Sequence, residues 1–214
     1  MSIMARIKNG INGPITGSIA ETVGSSWNGI SYIKSKPRKR TKPLSENEQL
    51  TRLHFKMVHE WLQPLLDFVR VGFKGYSPTN YGFNAAKSLL RKEALVKNGF
   101  DSWIDPSLAR LSAGSLGMSP DMAAVLTEAG QLEFTWNPTL EKEMRARDQV
   151  MLLIYDPETG NFKFTTAGGF RSAGRDSFDL SLTPSGTYHV YAAFVAEDRS
   201  RQSDSLYLGT IEKI

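Results

Sequence analysis

The sequence predicts an α+β protein in three parts: a glycine-rich N-terminal β ribbon over 1–43, an antiparallel helical pair within 44–118, and a seven-stranded β-sandwich over 119–214. Three observations predict it. Apolar residues are diluted by glycine at the front, recur every three or four positions through the middle, and alternate with polar ones towards the end. The composition suits such a chain, because 40% hydrophobic and 22% charged residues over 214 positions allow a buried core and exclude disordered or collagen-like classes.

In the front segment Gly10, Gly13, Gly17, Gly24 and Gly29 stand among short aliphatic residues. That pattern is neither a clean helix nor an uninterrupted strand, and it predicts short extended pieces joined by tight turns. Its best local signal is Trp27-Asn28-Gly29-Ile30, since Asn-Gly suits a type I′ hairpin. A ribbon with so little side-chain volume cannot bury itself. Its apolar members Ile7, Ile11, Ile15, Ile19, Val23 and Trp27 are therefore expected to form an assembly arm that lies on the rest of the chain or on another subunit. The same glycines suggest a phosphate loop, but neither GxGxxG nor GxxxxGK[ST] is present, and backbone packing is the stronger reading.

From Leu44 the period turns helical. Ser45 and Glu48 fit a capping box, and Leu50, Leu53, Met57, Trp61 and Leu65 draw one apolar stripe. Pro64 removes a backbone donor and is expected to kink or break this helix near its last turns. A second helix is expected over Tyr81 to Val96, stopped by Asn98-Gly99. The short connection between the two predicts an antiparallel pair.

Seven short segments follow, from DMAAVLTEAG to SDSLYLGTIEKI, rich in β-branched and aromatic residues and divided by Pro-Glu-Thr-Gly, Pro-Ser-Gly and Glu-Asp-Arg-Ser-Arg turns. Seven strands in so short a stretch are the count and spacing of a β-sandwich. Trp136 is expected to fill the space between sheets, and Tyr188, just past Pro184-Ser185-Gly186, sits where a tyrosine corner ties loop to strand. On FTWNP, TPSGTYHVYAAF and SDSLYLGTI, this part resembles a fibronectin type III or immunoglobulin-like module, which implies a sandwich and no particular activity. On ARIKNGINGPITG, GSSWNGISYIKSKP and LLDFVRVGFKGY, nearly the whole chain resembles an uncharacterised family of unknown function found in Bacteroidota. That resemblance implies no catalytic or binding residues.

Charge is distributed unevenly. The formal net charge is +4, yet residues 1 to 42 hold eight Lys or Arg against Glu21 alone, and the last third is acidic. The densest run is Lys34, Lys36, Arg38, Lys39, Arg40 and Lys42, interrupted by Pro37 and closed by Pro43. Such a run attracts nucleic-acid phosphates in a sequence-neutral, salt-sensitive way, with Trp27 and Tyr32 nearby to stack on bases. The plainer reading is a solvated, extended connector.

Catalytic chemistry finds little material. There is no cysteine, which excludes disulfides, thiolate nucleophiles and cysteine metal sites. His54 and His59 lie ~140° apart around the first helix and do not face one metal. His189 on a strand is as open to a core role as to a surface one, and Asp176 and Asp179 read as charges on a strand edge. The four tryptophans, Trp27, Trp61, Trp103 and Trp136, read as one packing anchor per layer. No stretch resembles a signal peptide or a membrane span, so a cytoplasmic or particle-associated address is expected.

These readings predict a non-enzymatic structural or assembly protein, a homo-oligomer that self-associates through its N-terminal arm, with a phage-like or other large particle as the concrete form. The alternative is a sequence-neutral nucleic-acid-associated protein using residues 34–42. A carbohydrate-acting enzyme is the weakest of the three and would need a pocket with two converging carboxylates. No cofactor, metal or small-molecule substrate is expected.

Overall fold

The computed structural model describes residues 6–7, 13–27, 29–77, 81–141 and 143–213. The chain divides into two compact units, Met1–Ser45 and Glu46–Ile214.

The first unit is a four-stranded antiparallel sheet in the order β1 (Arg6–Ile7), β2 (Ile15–Ile19), β3 (Thr22–Trp27), β4 (Ile30–Ser35). The hairpin expected at Asn28-Gly29 is present: Trp27 pairs with Ile30, and Gly29 has φ +79°. Asn28 itself lies outside the described residues. Gly24 is the only buried residue among those described in this unit. A Cβ there would lie 2.1 Å from the carbonyl oxygen of Ile15, so only glycine lets the two backbones approach. Direct pairing puts Trp27 with Ile30, Ser25 with Tyr32 and Val23 with Lys34, and paired residues share a face of the sheet.

The second unit opens with α1 (Glu46–Leu62), directly after Ser45 and with Glu46 and Glu48 in its first turn. Pro64 breaks the helix as expected: a 3-10 turn at Gln63–Leu65 leads into α2 (Leu66–Gly72). The next helix, α3 (Gly82–Glu93), runs back along α1, with Phe83 against His59 and Lys87 against Phe55. It ends earlier than the sequence predicts. Leu95–Val96 form a strand, β5, paired with β6 (Trp103–Ile104), because burying Leu95 in this ladder replaces the last helical turn.

The seven C-terminal strands fall in the expected segments to within one residue: β7 (Ala123–Leu126), β8 (Gln131–Thr135), β9 (Gln149–Tyr155), β10 (Phe162–Thr165), β11 (Arg175–Asp179), β12 (Gly186–Val195) and β13 (Leu206–Lys213). They form two antiparallel sheets, β10-β9-β12-β13 and β11-β8-β7. The central strands β9 and β12 of the four-stranded sheet are buried on both faces. Val150, Leu152 and Ile154, with Val190, Ala192 and Phe194, meet Leu132, Phe134 and Phe178 of the smaller sheet. On the opposite face Met151, Leu153 and Tyr155, with Tyr191, Ala193 and Val195, meet Leu62, Phe68, Val69 and Leu90 of the helices. Period two does not hold in β9, because residues 150–155, VMLLIY, are apolar without a break, as a strand with two covered faces requires.

Trp136 is buried between the sheets and donates its indole N–H to the Arg171 carbonyl at 2.7 Å. The tyrosine corner is also present, with Tyr188 Oη donating to the Pro184 carbonyl at 2.9 Å. Among the described residues no helix is long and apolar enough to cross a membrane.

Candidate functional site

The residues singled out from the sequence cluster in the first unit. Lys34 lies next to the end of β4 on the face shared with Tyr32, its Nζ 5.8 Å from the ring centroid. Lys36, Arg38, Lys39, Arg40 and Lys42 follow in an exposed stretch in which residues 36–41 form neither helix nor strand. The Arg40 guanidinium donates to the carbonyls of Lys42 and Pro43 at 2.8 and 3.0 Å.

Of the arm residues, Ile7 and Ile19 are exposed and Ile15 and Val23 half-buried, while Ile11 lies outside the described residues. Trp27 is 55% exposed, Ile30 66% and Tyr32 40%. The expectation of one packing anchor per tryptophan is therefore corrected. Trp136 is a core residue, but Trp27, at the hairpin end of β3, and Trp103, in the two-stranded β5-β6 ladder, are both exposed.

The second unit contains a cleft that the sequence did not reveal. It has a volume of about 830 Å³ and lies between α1, the chain around β6, the β9–β10 turn and His189 of β12. Each wall is held by buried or part-buried hydrogen bonds. His54 of α1 meets Ser102 at 2.9 Å. The serine hydroxyl gives its one hydrogen to the Gly99 carbonyl, so the imidazole Nε2 is the donor. Tyr191 Oη donates to the Pro106 carbonyl at 2.7 Å. These two bonds fix the segment that presents Trp103, whose indole is 51% exposed.

Opposite it, Tyr155 Oη donates to the Trp61 carbonyl at 3.0 Å, and the Trp61 and Tyr155 rings meet edge to face at 5.1 Å. The third wall is the β9–β10 turn. Asp156 accepts from the Glu158 amide at 2.9 Å and from the Thr159 hydroxyl at 2.7 Å, which pins the turn that carries the exposed Glu158.

The electrostatics of this cleft follow from those contacts. Burial acts to raise the Asp156 pKa, but the Thr159 hydroxyl and the Glu158 and Thr159 amides outweigh it and hold it below the ordinary value. Asp156 is therefore a fixed anion behind the cleft. Burial, aided by Asp156, pushes the Tyr155 phenol up to about 12, which keeps it a neutral donor. His189 is held below its usual pKa by burial, with Asp156 and Asp105 pulling the other way; it meets Tyr207 Oη at 2.9 Å as a neutral ring. Lys56 is the one cation of the lining, and it pairs with Glu60 at 3.7 Å.

Two carboxylates thus line the cleft, Glu60 and Glu158, and both are exposed. Neither has the apolar enclosure that prepares a carboxyl as a general acid. Asp176 and Asp179 belong elsewhere, accepting from the backbone amides of Gly169 and Ser181. Among the described residues no group of three or more His, Asp or Glu is placed to hold a metal ion.

Nothing in the spacing of Lys56, Trp103, Glu158 and His189 links them, because tertiary contacts alone bring them together. The nearest local signal was Trp103 in a polar, proline-ended loop, where an indole has little chance of burial. The chain matches no curated protein and no solved structure. Residues 14–209 match the model of a family described as "Family of unknown function (DUF6266)", and the chain belongs to that family.

Proposed function

We propose that this protein is a non-enzymatic assembly protein whose copies associate through the N-terminal sheet. The observation that carries the reading is a sheet with unburied apolar side chains: Trp27, Ile30 and Tyr32 lie exposed along one face of a hairpin. Contiguous exposed aromatic and aliphatic groups mark an interaction surface. A second copy is the occupant because it supplies the same face, as a two-fold contact requires.

The C-terminal strands are read as an immunoglobulin-like sandwich of fibronectin type III kind. Strand order supports this: the first, second and fifth of the seven share one sheet, and the third, fourth, sixth and seventh share the other. Such modules serve contact more often than turnover, although fold alone assigns no activity.

Light scattering on the full chain tests the proposal. The wild type is expected to give a mass that is a multiple of the single chain. A Trp27→Asp/Ile30→Asp variant is expected to give the single-chain mass, with no loss of fold because both side chains are exposed. A wild type that stays single at every concentration, or a variant that still associates, contradicts it. The nucleic-acid reading rests on the basic run 34–42, whose first member Lys34 shares that face with Trp27 and Tyr32, and the same experiment separates it. Copies that associate only with added nucleic acid, and release it as salt rises, would assign the face to that partner.

A further inference from the structure

The cleft of the second unit combines features that select one chemistry of occupant. Its lining includes the exposed Trp103 indole and the half-buried Trp61 ring, and three of its remaining lining residues are Pro64, Pro106 and Pro157. Its charge is acidic. Glu60 and Glu158 are in the lining, the one cation Lys56 is already paired with Glu60, and Asp105 and Asp156 lie close enough to act on His189. Indole faces attract ammonium and guanidinium groups, and aromatic-lined grooves accept extended, proline-containing segments, which enter with little ordering cost. A small anionic ligand is disfavoured here, and a free apolar one would leave the carboxylates unmatched.

The chain carries a segment of the matching kind. Residues 36–43, Lys-Pro-Arg-Lys-Arg-Thr-Lys-Pro, hold five cations and no acid, and residues 36–41 are outside any helix or strand. Pro37 and Pro43 bias the residues before them to extended conformations.

We propose that this cleft is the receptor for the basic segment 36–43 of a second copy, with Lys36, Arg38, Lys39 and Lys42 facing Trp103, Glu60 and Glu158. The inference rests on the assembly reading above and names its second contact. Such a contact is heterologous, since segment and cleft are different surfaces, and it propagates a ring or a filament.

The test is zero-length carbodiimide cross-linking of full-length chains, mixed in equal amounts with ordinary and heavy nitrogen and allowed to exchange. Mass spectrometry is expected to find mixed-isotope links from Lys36, Lys39 or Lys42 to Glu158 or Glu60. Trp103→Ala, at an exposed side chain, is expected to lower their yield about thirtyfold, the loss for one desolvated cation–aromatic contact. Links confined to a single isotope, mixed links to other carboxylates only, or an unchanged yield in Trp103→Ala would each overturn the assignment. Light scattering on the same samples separates the two proposals. A multimer without these links removes the cleft contact and leaves the sheet contact standing, whereas a single-chain mass removes both.

Discussion

Leu153→Ala is expected to cost about 2–5 kcal/mol of stability, as much as Leu152→Ala beside it, the range for truncating a fully buried leucine. Adjacent strand residues point to opposite faces, and in a sheet covered on one side only, one of this pair would stand in water. Here Leu152 lies in the core shared with the smaller sheet, and Leu153 in the core shared with the helices. Both are fully buried. Denaturant melts of the two single variants check this. If Leu153→Ala shifts stability by no more than ~0.5 kcal/mol, as surface changes do, the helices do not cover that face.

Arg171→Met is expected to cost about 3–5 kcal/mol, the range for removing one partner of a buried ion pair. The Arg171 side chain is completely enclosed. Its Nε donates to Asp148 Oδ2 at 3.3 Å, its Nη1 to Ser119 Oγ at 2.7 Å and its Nη2 to the Gly117 carbonyl at 2.9 Å. The guanidinium carbon also sits 3.9 Å from the Phe194 ring centroid. Burial lowers the guanidinium pKa and the Asp148 charge opposes it, so the cation persists because its partner is fixed beside it. Without Arg171, Asp148 becomes an unpaired buried anion, and its Oδ1 already has no partner among the described residues. Arg171→Met/Asp148→Ala is therefore expected to recover a large part of the loss. Thermal melts of the single and double variants decide. A single variant within ~1 kcal/mol of wild type would mean that the network holds little.

How much of this was legible depended on the range of the interaction. The Trp27–Ile30 hairpin, the break at Pro64 and the Tyr188 corner rest on residues within a few positions of each other, so turn chemistry alone specifies them. Seven strand segments were readable for the same reason. The double burial of β9 was visible in its unbroken apolar run but was absorbed into a period-two reading that fits neighbouring strands better. Leu95 left its helix because a partner at Ile104 existed, which no propensity for helix encodes. Arg171 looked like any loop arginine until Asp148, Ser119 and Gly117 closed around it. The cleft was least legible of all. Its walls come from α1, β6, the turn after β9 and β12, and only packing of the helices on the sheet sets them face to face.

The central claim is that the N-terminal sheet keeps its apolar face for another copy. Amide hydrogen exchange over residues 15–35, followed from low to high protein concentration, addresses it most directly, because an interface slows exchange only while it is occupied. The account predicts protection that rises with concentration in β3 and β4 and is absent in Trp27→Asp/Ile30→Asp. Exchange across those strands that is fast and the same at every concentration would contradict it.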